Sequence, residues 1–196
     1  MRKIDGGIFT ALVTPYENEH VNLRMYSKLI ELNRKNGIDR FYVCGSSAEQ
    51  ALLSVDERKD ILSAVLAEKP GRVVVHVGGQ NAADCYKLAK DAGRQGADAV
   101  SAVTPYYYKY NISEITHFYE KLADDSGLPV VLYNIPSLTG VSFNVEQLTE
   151  LLSRDCFTAL KFTAPDTLAI ERIKRMRRMK SAMLLQSHQS SEDSSA

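Results

Sequence analysis

Pro129-Val130-Val131-Leu132-Tyr133-Asn134 is an apolar run that stops on a phenol and an amide. The run Pro129 to Tyr133 has five counterparts: Ile8 to Val13, Asp39 to Cys44, Val73 to Val77, Ala97 to Val103 and Thr158 to Phe162. All are β-branched or apolar at successive positions instead of alternating ones, which predicts strands covered on both faces, as in a parallel sheet. Between them lie amphipathic stretches with charged outer positions: Asn22 to Asn36, Ser54 to Glu68, Asn81 to Arg94, Ser113 to Asp124 and Asn144 to Ser153. Ser54-Val55-Asp56-Glu57 and Ser113-Glu114 look like helix openings, a capping residue followed by acid. Strand starts recur about every 25 to 35 residues, the length of a strand plus a crossover helix.

Strand–helix alternation fits a closed barrel or an open doubly wound sheet. In a barrel, polar groups gather at the carboxyl ends of many strands; in an open sheet they concentrate at one switch point. Here nearly every run ends in polar, small or aromatic residues: Thr14-Pro15, Gly45-Ser46-Ser47, Gly78-Gly79, Thr104-Pro105-Tyr106-Tyr107, Tyr133-Asn134 and Lys161-Phe162-Thr163. The expected fold is therefore an α/β barrel of the (β/α)8 type. Six units reach about residue 180, and Ala182 to Gln186 reads as a seventh strand. A full barrel takes about 250 residues, so in 196 residues at least one strand and two helices are expected to be absent. Residues 1–187 read as an incomplete barrel and 188–196 as a Ser-rich polar tail.

Lys plus Arg and Asp plus Glu both number 24, so no global field attracts nucleic acid or an anionic membrane, and a small-molecule ligand is expected. No apolar segment approaches the roughly 20 residues that span a bilayer. Three widely spaced cysteines, Cys44, Cys85 and Cys156, suit a reducing compartment better than a disulfide framework, which points to the cytoplasm. His20, His76, His117 and His188 share no ligand spacing, and no metal is expected. Arg172, Lys174, Arg175, Arg177, Arg178 and Lys180 alternate with Ile173, Met176 and Met179 at helical spacing, which predicts an amphipathic sixth helix with a solvated basic face.

Lys161 closes the run Thr158-Ala159-Leu160, where an ammonium is partly desolvated; that lowers a lysine pKa and frees the amine to attack a ketone. Taken alone, a lysine there more often ends a strand and reaches back to water. Tyr133 ends the preceding strand, so in a parallel barrel both side chains project into one mouth, where a phenol can shuttle a proton. Gly45-Ser46-Ser47-Ala48-Glu49 offers hydroxyls and N–H groups suited to a small carboxylate, and equally suits an ordinary glycine turn.

These segments, with Tyr133-Asn134-Ile135-Pro136, Thr139-Gly140, Leu53-Ser54-Val55-Asp56-Glu57-Arg58, Thr104-Pro105-Tyr106-Tyr107 and Lys161-Phe162-Thr163 in this order, resemble the dihydrodipicolinate synthase and N-acetylneuraminate lyase superfamily from about Gly7 to Arg178. Phe162 stands where the synthases usually carry an acid, so the lyase branch is the nearer likeness. The resemblance implies a class I aldolase that cleaves N-acetylneuraminate to N-acetylmannosamine and pyruvate without metal or organic cofactor. It implies Lys161 as imine-forming lysine, Tyr133 as proton relay, Ser46 and Ser47 on the carboxylate, and Thr163 on the sugar chain. Tyr107 matches a tyrosine lent to a neighbouring subunit, and a homo-oligomer, a tetramer in most relatives, is implied.

Two departures bear on this. Ala48 replaces a glycine of the family signature, and would misplace the carboxylate site if that position needs positive φ. Where lyases carry Gly-x-Asp-Glu, this chain reads Ser187-His188-Gln189-Ser190-Ser191-Glu192-Asp193, which leaves the expected pocket open on one side. The alternatives are dihydrodipicolinate synthase, a keto-deoxy sugar acid aldolase, or a non-catalytic chain that binds pyruvate or full-length subunits.

Overall fold

The computed structural model describes residue 4 and residues 7–177. Strands β1 (Thr10–Ala11), β4 (Arg40–Val43), β5 (Arg72–His76), β6 (Ala99–Val103), β7 (Val130–Asn134) and β8 (Phe157–Phe162) form one sheet. Their order in the sheet is their order in the chain, and every neighbouring pair is parallel. A doubly wound sheet would reverse direction at a switch point. This one does not, and it is the barrel arrangement with β1 and β8 as its edges among the described residues. Ala182 to Gln186, the 187/188 boundary and the polar tail lie outside those residues.

Helices α1 (Met25–Lys35), α2 (Val55–Ala67), α3 (Ala82–Gln95), α4 (Ile112–Ser126), α6 (Val145–Ser153) and α7 (Thr167–Arg177) cover the outer face, and α5 (Pro136–Thr139) is one short turn. A small antiparallel hairpin, β2 (Tyr16–Glu17) with β3 (His20–Val21), interrupts the first crossover and was not expected from the sequence. The opening of α4 also differs from expectation. Its cap is Asn111, whose side chain accepts from the Glu114 N–H while Glu114 accepts from the Asn111 N–H, so Ser113 lies inside the helix. Asn111 is extended (φ −80°, ψ 168°) as a cap must be, and the acid sits three residues on. In α7 Ile173 is buried, while Met176 is 57% exposed and turns away from the apolar face expected of it. Arg178, Met179 and Lys180 lie outside the described residues.

Alternation along the strands sorts side chains into two layers. Phe41, Val43, Val73, Val75, Val100, Ala102, Val130, Leu132, Leu160 and Phe162 pack outward with the helices in one continuous core. Tyr42, Val74, Ala99, Val103, Val131, Tyr133 and Ala159 form a second cluster on the barrel side. His76, Ser101 and Lys161 fall at the same parity, so the inner face of an apolar sheet carries three buried polar groups. A slip of one residue would exchange the layers, so the register that buries Leu160 and Phe162 among the helices also aims Lys161 inward.

Candidate active site

Lys161 on β8 and Tyr133 on β7 are partners in the ladder, and their side chains leave the same face. The Lys161 Nζ lies 3.9 Å from the Tyr133 ring centroid and 3.8 Å from that of Tyr42, held between the two rings. Only 5% of Lys161 is exposed, and among the described residues it makes no salt bridge. Burial therefore pushes its pKa from 10.5 down to about 7. The flanking rings favour the ammonium through their electron-rich faces, but desolvation outweighs them. The amine is available as a nucleophile near neutral pH.

Tyr133 reaches the turn after β4: its hydroxyl lies 3.4 Å from the Ser46 Oγ, either oxygen able to donate. That turn is a 3₁₀ segment, Ser46–Ala48, and at Gly45 before it any side chain would displace the Tyr42 ring. A Cβ at Gly45 would stand 2.5 Å from the Tyr42 Cε1 and 3.8 Å from the Lys161 Nζ. Ala48, in contrast, is not among the residues of positive φ; it is buried within the 3₁₀ turn, with its N–H on the Gly45 carbonyl and its own carbonyl accepting from the Thr14 Oγ1. Glu49 takes the left-handed conformation instead (φ 52°). Alanine for glycine at 48 therefore imposes no backbone strain.

Of the other residues singled out in the sequence, Ser47 is exposed beside Ser46. Thr163 follows Lys161 by two; its N–H donates to the Asn134 carbonyl, and its Oγ1 is buried without a partner among the described residues. The Asn134 Oδ1 is likewise buried and unpaired. Tyr107 is 70% exposed in the loop after β6, its ring meeting that of Tyr108 edge-on.

The site contains groups that sequence reasoning missed. Tyr42 supplies the second ring of the cage, and its hydroxyl donates to Ser101, which donates to the Val131 carbonyl. His76 meets the Tyr133 ring at right angles, centroids 6.0 Å apart. Its Nε2 accepts from the Val103 N–H, and burial, then the charges of Arg58 and Lys161, hold its pKa well below 6.5, so it is a neutral imidazole protonated on Nδ1. Arg58 from α2 is buried and donates to the His76 and Gly78 carbonyls, which anchors the end of β5. The available signal was polar or aromatic residues at inward parity within apolar runs: Tyr42, His76 and Ser101. Cys44, Cys85 and Cys156 are free and buried, and burial raises all three thiols to about 11. Among the described residues no group of three or more His, Cys, Asp or Glu stands where it could hold a metal, and no helix is long and apolar enough to cross a membrane.

Known proteins are similar to this chain in sequence and fold. N-acetylneuraminate lyase 2 of Escherichia coli O6:H1 is 42% identical over 173 residues, a match that covers 86% of this chain and 57% of the lyase. CdNal of Clostridium difficile, solved in complex with mannosamine, superposes with a TM-score of 0.86 at 33% identity over 91% of this chain and 63% of its own. YagE of Escherichia coli K12, a prophage protein of the dihydrodipicolinic acid synthase family solved in complex with pyruvate, gives a TM-score of 0.84 at 27% identity over 91% of this chain and 62% of its own. The chain thus spans about 60% of the length of the relatives it matches. The profile of the Dihydrodipicolinate synthetase family matches residues 5–187, nearly the whole sequence, and the chain belongs to that family.

Proposed function

We propose that this chain carries the imine-forming half of a class I aldolase that cleaves N-acetylneuraminate to N-acetylmannosamine and pyruvate. The observation that carries the reading is a buried lysine, lowered to about 7, with its Nζ 3.9 Å from the ring of a tyrosine whose hydroxyl meets Ser46. In this reading the Lys161 amine attacks the C2 ketone of the open-chain sugar acid, and water leaves to give a protonated imine. Tyr133 takes the proton of the C4 hydroxyl as the C3–C4 bond breaks. The bonding pair flows into the imine to give an enamine, and N-acetylmannosamine departs as an aldehyde. Protonation of the enamine at C3 and hydrolysis then release pyruvate and restore the amine. Ser46 and Ser47 hold the carboxylate, and the unpaired Thr163 hydroxyl takes a hydroxyl of the sugar chain. The cycle uses no metal or organic cofactor.

The choice of aldehyde is supported by the lyase relative at 42% identity and by Phe162 after the lysine. The exposed Tyr107 fits a contribution to a neighbouring subunit, and we infer a homo-oligomer, a tetramer, working in the cytoplasm. The reading is tested by incubating the protein with N-acetylneuraminate and quantifying both products, with aspartate semialdehyde plus pyruvate and keto-deoxy sugar acids in parallel. Equimolar N-acetylmannosamine and pyruvate support it. Turnover of another substrate alone moves the assignment within the family, and pyruvate adduct without turnover of any leaves a binding chain.

A further inference from the structure

We propose that Tyr42 is a positioning residue for Lys161: a fixed aromatic platform whose face holds the cationic forms of the amine, both the ammonium and the protonated imine. The proposal rests on the reading of Lys161 as the imine-forming lysine. Its geometry is independent of that chemistry. The Lys161 Nζ sits 3.8 Å from the Tyr42 centroid, and among the described residues no carboxylate pairs with it. The ring is fixed at both ends. Its hydroxyl is tied by 2.9 Å hydrogen bonds through Ser101 to the Val131 carbonyl, and both side chains are fully buried. Its near edge fills the space that a side chain at Gly45 would occupy. Tyr133 and His76 pack against its flanks, with centroids 6.2 and 6.4 Å away.

A tether this complete is not needed to fill space; a leucine would do that. What it fixes is the direction of a π face, and a desolvated cation over such a face is held by the ring quadrupole. The titratable groups that face Lys161 are Tyr42 from β4, His76 from β5 and Tyr133 from β7, with Arg58 of α2 behind His76. No carboxylate is among these described groups, so none of them duplicates the ring's effect.

The test replaces Tyr42 by mono-, di- and trifluorotyrosine, which keep the hydroxyl bonded to Ser101 while draining charge from the ring face. The half-protonation pH of Lys161 is read from the pH dependence of its reductive methylation by formaldehyde, mapped by peptide mass, with no pyruvate present. A stepwise fall with fluorine number, roughly tenfold in the protonation equilibrium across the series, is the expected result. A half-protonation pH that does not move with fluorination overturns the proposal. Pyruvate trapping on the same samples reports separately on the aldolase reading: a graded response across the series together with a wild-type chain that forms no pyruvate adduct refutes that reading and leaves the platform intact.

Discussion

Lys161 and Tyr133 are Cα partners across the β7–β8 ladder, so one hydrogen-bonded register places the amine and the phenol ring 3.9 Å apart. Neither side chain needs a loop to find the other. The sheet that buries the outer core also sets the geometry of the site.

Because burial brings Lys161 to about 7, the nucleophilic amine forms in the neutral range. The initial rate of imine formation with pyruvate should rise about tenfold per pH unit below 7 and level off above it. Rapid-quench borohydride trapping from pH 5 to 9 measures this. A rate still climbing at pH 9 would mean an ordinary lysine.

The same burial has a cost in stability whose sign is fixed by linkage. Below pH 7 both folded and unfolded chains carry the proton, and folding must desolvate a charge. From about 7 to 10.5 only the unfolded lysine is protonated, so the penalty shrinks as pH rises. By linkage the gain in stability from Lys161→Met should be larger at pH 6 than at pH 11 by roughly 5 kcal/mol, about 1.4 kcal/mol for each pH unit between the folded and unfolded values. Urea midpoints at the two pH values check it, and equal gains at both contradict it.

Gly45→Ala places a methyl 2.5 Å from the Tyr42 ring without any backbone objection, since Gly45 has φ −82°. The ring must tilt and take the amine with it. Adduct formation should drop by roughly two orders of magnitude, while stability falls by about 1–3 kcal/mol; trapping kinetics and thermal melts on one sample separate the two effects.

Restoring the family's glycine at position 48 should not help. Ala48 lies in a 3₁₀ turn without positive φ, so Ala48→Gly adds only unfolded-state entropy. A loss of about 0.5–1 kcal/mol in stability with unchanged pyruvate trapping is expected; improved trapping would show that the turn is strained after all.

Much of this arrangement is legible in the sequence because its signals are local. Apolar runs of strand length, each ending in polar residues, mark both the barrel and the end of it where chemistry gathers, and they single out Lys161, Tyr133 and Ser46. Ends of elements are less legible: the α4 cap is Asn111 and not Ser113, because the choice between two capping residues depends on which one takes extended backbone. The hairpin at Tyr16–Glu17 and His20–Val21 is too short to leave a periodic trace. Tyr42 and Ser101 are illegible for a different reason. An inward tyrosine in an apolar strand has the same pattern as core, and only the parity shared with Lys161 across three intervening strands makes it part of a site. His76 shares no ligand spacing with the other histidines, and what marks it is its inward parity, which packs it neutral against Tyr133.

The central claim is that Lys161 is the nucleophile, and reduction of the pyruvate imine tests it most directly. The protein is incubated with pyruvate and borohydride, digested, and mapped by mass spectrometry beside Lys161→Ala. The account predicts one adduct, a 1-carboxyethyl group on the Lys161 amine, absent from the variant. A folded protein that acquires no adduct, or acquires it on another lysine, would contradict it.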